Sequence, residues 1–74
     1  MKTIRDYRND SNMTYAEIAE KAGIGTDAAF RAINSPWRTR LETVLLVAKA
    51  LEIPADIAEN IWRKEKREYM MRKY

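Results

Sequence analysis

Apolar residues along the chain recur in steps of three and four. Leu41, Val44, Leu45, Ala48 and Leu51 share one helical face, and Ile57, Ala58, Ile61 and Trp62 form a second stripe. No segment alternates apolar and polar residues with β-branched enrichment, so no strand is predicted. Polar residues mark where the helices start. Thr14 with Glu17 has the spacing of a capping box, and Met13 and Ile18 flank it as a hydrophobic staple. A helix should therefore run from there to about Lys21. Thr39 with Glu42 repeats the spacing and predicts a helix from about Arg40, while Thr3 with Asp6 marks a short first helix with Ile4 and Tyr7 inward. Pro54 suits a first helical turn, so a last helix should follow it.

Gly23 is the natural residue to close the second helix in a left-handed conformation, and Ile24 is an apolar plug beneath the turn. A third helix should start at about Thr26, which makes the pair a helix-turn-helix. The expected architecture is all-α, one compact five-helix domain over residues 1–74. Residues 1–61 are expected to form its core fold and residues 62–74 an extension of the C-terminal helix.

The third helix, GIGTDAAFRAIN with its preceding turn, separates into two arcs. At about 100° per residue, Ala29, Ala32 and Ile33 cluster on one side, and Thr26, Asp27, Phe30, Arg31 and Asn34 on the other. Small residues on the inner arc allow close approach to Ala19 and Ala22 of the second helix. The outer arc carries a hydroxyl, a carboxylate, a phenyl ring, a guanidinium and an amide, the groups that read base edges in a major groove. Local roles compete with that reading. Asp27 also favours the helix dipole from the first turn, and Asp27 with Arg31 has the spacing of an i,i+4 ion pair. Phe30 serves equally as core or as an apolar probe for a thymine methyl. The loop SPWRTR that follows gathers Ser35, Arg38, Thr39 and Arg40, all phosphate-binding types, while Trp37 is expected to fold back over the core.

Composition narrows the chemistry. The chain has 74 residues with neither cysteine nor histidine, so disulfides and the common thiolate or imidazole metal sites are excluded; no metal or cofactor is expected. With two serines and no paired carboxylates at a catalytic spacing, an enzyme is not expected either. No apolar run reaches the length of a signal peptide or a membrane span, and the expected location is cytoplasmic. The net charge of +3 is unevenly placed: residues 1–59 hold eight basic and nine acidic residues, residues 60–74 six basic and two acidic. Bulk charge is thus a poor argument for nucleic-acid binding.

The run TYAEIAEKAGIGTDAAFRAIN, followed by a loop and LETVLLVAKALEIP, resembles the DNA-binding domain of the lambda repressor-like helix-turn-helix family, which includes phage repressors and Cro proteins. The matching features are Ala19, Gly23, Ile24, Asn34 and the A-K-A-L pattern from Ala48 to Leu51, and the likeness spans roughly residues 4 to 61. The resemblance implies that Thr26, Asp27, Phe30 and Arg31 read bases. It also implies that Tyr15, Asn34 and the loop Ser35, Arg38, Thr39 and Arg40 hold the DNA backbone. Ala29 and Ala32 depart from the family, which usually places a branched aliphatic there, so Ile33 or Phe30 must supply the missing volume.

The C-terminal segment carries Glu59–Arg63 and Glu68–Arg72 at a favourable i,i+4 spacing, so helix should persist to about Arg72. Tyr69, Met70, Met71 and Tyr74 then have no evident place in the core. They belong to a frayed basic tail or to a dimer contact, for which Ile61, Trp62, Tyr69 and Met70 are the preferred residues; in the resembled family the last helix commonly carries that contact. The expected function is a Cro-like repressor that binds a palindromic operator in double-stranded DNA as a homodimer, because no sensor or cleavage domain follows, and no small-molecule ligand is expected. The alternative is an antitoxin-like or antirepressor-like interaction module on the same fold.

Overall fold

The computed structural model describes residues 2–73, so the expectation for Tyr74 lies outside the described residues. Five helices follow one another: α1 (Ile4–Ser11), α2 (Tyr15–Ala22), α3 (Thr26–Asn34), α4 (Leu41–Ala50) and α5 (Ala55–Lys73), with a 3-10 turn, Pro36–Arg38, between α3 and α4. Two of the three expected capping boxes form. The Thr3 amide donates to Asp6 Oδ2 at 2.9 Å and the Asp6 amide to Thr3 Oγ1 at 3.2 Å. Thr14 and Glu17 make the same exchange at 3.0 and 3.1 Å. Each box satisfies two amides that a helix start would otherwise leave without partners.

The third box does not form. α4 begins one residue later than expected, with Arg40 at its N-cap and no side-chain cap. The Thr39 hydroxyl donates instead to the Ser35 carbonyl at 3.3 Å, and the Thr39 carbonyl accepts from Trp62 Nε1 at 2.8 Å. A bond to the distant indole thus holds Thr39 in the turn.

Gly23 closes α2 with φ +71°, and its amide and that of Ile24 return to the Ala19 carbonyl. The three residues from Gly23 to Gly25 then lead into α3. α2 and α3 pack through alanines: Ala19, Ala29 and Ala32 are buried. Ile4, Ile18, Ile33, Val44, Val47 and Ile61 supply the bulk of the core around them. Ile33 therefore provides the volume that the alanines of α3 lack. Two inward stripes sit differently from the expected ones. On α4, Val47 is buried while Leu41 and Leu45 are half-buried, and on α5, Ile57 is exposed. Among the described residues, no helix is long and apolar enough to cross a membrane.

Candidate nucleic-acid interface

α3 buries Ala29, Ala32 and Ile33 and exposes Thr26, Asp27, Phe30 and Arg31. Its start has Gly25 at the N-cap with no side-chain cap, so the first amides of α3 lack the threonine hydroxyl that accepts from Asp6 in α1 and from Glu17 in α2. Asp27 and Arg31 form no ion pair; the ion pairs of the described residues lie elsewhere.

Arg31 meets the loop. Together with Ala28, Arg38, Thr39, Arg40 and Thr43 it lines a cleft of about 210 Å³ between α3 and the start of α4. Three guanidinium groups and the Thr43 hydroxyl around so small a space suit an anionic oxygen cluster such as a phosphate, while the Thr39 hydroxyl proton is already given to the Ser35 carbonyl. The fold thus joins Arg31 of the outer arc to Arg38, Thr39 and Arg40 of the loop. Thr43 was not legible as a partner, because nothing in its local sequence separates it from any other threonine inside a helix. Ser35 is half-buried, and its carbonyl is occupied by the Arg38 amide at 2.9 Å and by Thr39.

A second cluster occupies the other edge of α3. Asn34 donates through Nδ2 to the Tyr15 hydroxyl at 3.1 Å and to the Phe30 carbonyl at 3.0 Å. The Tyr15 and Phe30 rings lie 5.0 Å apart, tilted by 54°. Arg8, from α1, sets its guanidinium 4.2 Å from the Tyr15 ring centre. The amide of Asn34 is therefore engaged within the chain and orients Tyr15, whose hydroxyl remains able to donate. Phe30 is 51% exposed and leans on Tyr15, so it is no part of the core. Sequence reasoning missed Arg8, because its contact comes from α1 and has no local signature.

The residues expected to pair two copies have different surroundings. Ile61, only 2% exposed, belongs to the core of its own chain and is not available to a partner. Trp62 is tied to Thr39, and Tyr69 stacks on Trp37 with ring centres 6.2 Å apart. Trp37 accordingly covers the outer half of α5 more than the core. Met70 remains outward at 46% exposure, joined by Met71 at 72%. The Glu59–Arg63 pair forms at 2.9 Å, whereas Glu68 faces Lys64 at 3.9 Å in place of Arg72. Comparison with protein-family models, with curated proteins and with solved structures finds no match for this chain.

Proposed function

We propose that the protein is a sequence-specific, DNA-binding transcriptional regulator of the lambda repressor-like type, with α2 and α3 as its helix-turn-helix and α3 as the helix that enters the major groove. The observation that carries this reading is the continuity of the exposed α3 arc with the three-arginine cleft. Major-groove binding needs both parts, because base edges supply specificity while phosphates supply position and most of the affinity. Thr26, Asp27, Phe30 and Arg31 face the bases, and Arg38 and Arg40 flank the backbone. The uncapped starts of α3 and α4 offer amides to phosphate oxygens. Two copies, joined through the Met70 and Met71 end of α5, would set two α3 helices about 34 Å apart on a palindromic site and block polymerase by occupancy.

Selection of bound duplexes from a random pool tests the reading directly, and a palindromic motif is the expected result. Arg31→Ala should cost about 1–3 kcal/mol on the selected site and relax one base position. Arg38→Ala and Arg40→Ala should weaken all duplexes alike, each lowering the slope of log affinity against log salt by about 0.9. Selection that returns no motif, or an Arg31→Ala variant with unchanged affinity and preference, overturns the assignment. A second reading, an interaction module on the same fold, draws on the exposed methionines of α5. It requires that no duplex be shifted at moderate salt.

A further inference from the structure

Beside the arginine cleft lies a larger one, of about 640 Å³, between the 3-10 turn, the start of α4 and the outer half of α5. Its walls are aromatic: Trp37, Trp62 and Tyr69 all line it. These are three of the seven aromatic residues of the chain, and they include both tryptophans. Each is half-buried. Neither tryptophan is free to turn away, because the Trp62 indole is hydrogen-bonded to the Thr39 carbonyl and Trp37 stacks on Tyr69 with 26° between the planes.

Cations stand around these rings. Lys66 places its ammonium 5.2 Å from the Trp62 ring centre, and Arg38 and Arg40 line the side toward α3. The one carboxylate of the lining, Glu42, lies 3.7 Å from Arg40. Fixed aromatic faces alternating with cations match a chain whose units each carry a π-face and a phosphate. Duplex DNA does not present such units, because its base faces are covered by neighbouring base pairs. An acidic peptide would satisfy the cations and leave the rings unused.

We propose that this aromatic cleft binds unpaired nucleotides of single-stranded DNA, with bases stacked against Trp37, Trp62 or Tyr69 and phosphates at Lys66, Arg38 and Arg40. The inference goes beyond the duplex reading and does not depend on it, since the aromatic walls and Lys66 lie outside the α3 arc.

Because both tryptophans line the cleft, tryptophan emission of the intact protein reports on this place alone. Titration with an oligothymidylate of about ten nucleotides, at low salt, should quench that emission saturably, and poly-L-glutamate of matched charge should leave it unchanged. Tyr69→Ala should weaken the oligothymidylate about tenfold. Lys66→Gln, a change at an exposed residue, should weaken it several-fold with an unaltered far-ultraviolet dichroism spectrum. No quenching, or equal quenching by poly-L-glutamate, overturns the proposal, as does an unchanged affinity in the Lys66→Gln variant. A gel shift with duplex DNA separates the two readings. Duplex binding without quenching removes the cleft alone, and quenching without a duplex shift removes the regulator reading alone.

Discussion

Phe30 shows how little a residue type says about its place. A lone phenylalanine on a helix is ordinarily core, yet here the core beneath α3 is closed by Ile33 and two alanines, and the ring lies outside against Tyr15. Phe30→Ala should therefore cost only about 0.5–1.5 kcal/mol, the worth of an aromatic pair. A buried phenylalanine would cost about 3–5 kcal/mol, and chemical denaturation distinguishes the two ranges. Glu65 presents the opposite situation, a charge in a place that disfavours it. Burial pushes its pKa above the ordinary 4.5, Glu68 and Asp6 push the same way, and its Oε2 is buried without a hydrogen-bond partner. Lys64 offsets only part of this. Because the folded chain holds this proton where the unfolded chain has released it, stability from this group falls as pH rises from 4.5 through the folded-state pKa. Glu65→Gln should raise the melting temperature near neutrality and flatten that fall, as a thermal series over pH would show; a lower melting temperature near neutrality would contradict it. Asp6 and Glu17 act with the other sign. Their amide and hydroxyl partners in the capping boxes lower their pKa values, so their contribution is lost on acidification.

Elements were legible where their causes are local. The starts of α1 and α2 follow from side chains three residues apart, and the end of α2 from one glycine, which is why the turn before α3 could be placed from sequence. The false box at Thr39 and the missed contact of Arg8 share a cause: each is decided by a partner far along the chain, Trp62 in one case and Tyr15 in the other. The arc of α3 was likewise legible from helical angles, whereas its union with Arg38, Arg40 and Thr43 needed the packing of α3 on α4. Helix ends yield a paired prediction. Gly23 and Glu52 both adopt left-handed conformations, with φ +71° and +60°, and only the first is a glycine. Nothing lies within 4 Å of a Cβ built at Gly23, so Gly23→Ala should cost about 1 kcal/mol through backbone strain alone. Glu52→Gly at the end of α4 should relieve the same strain and stabilise by about 0.5–1 kcal/mol. Melting temperatures that move in the same direction for both variants would refute the account.

At the scale of the molecule, charge and apolar surface are both concentrated in α5. The segment from residue 60 onward carries the excess of basic residues, and the same helix ends in the outward Met70 and Met71. Of the four residues that are candidates for a contact between copies, Ile61 is consumed by the core, Trp62 and Tyr69 are half-buried in the aromatic cleft beside the turn before α4, and Met70 is outward. A pairing of two copies through Met70 and Met71 relies on the last turns of α5, a small surface on a helix lined with lysine and arginine. Like charges brought together there repel, so association should strengthen with salt, opposite to the salt response of binding to DNA. Sedimentation equilibrium should find a weak dimer of twice the 8.7 kDa chain mass, favoured at higher salt. Met70→Lys combined with Met71→Lys should return it to one chain while leaving helix content unchanged, because neither side chain enters the core. On a palindromic duplex the double variant should lose cooperative occupancy of the two half-sites and keep its affinity for an isolated one. A wild-type chain that sediments as one mass at every salt concentration, and fills palindromic half-sites independently, would remove the dimer from the proposal while leaving the reading of a single half-site by α3 intact.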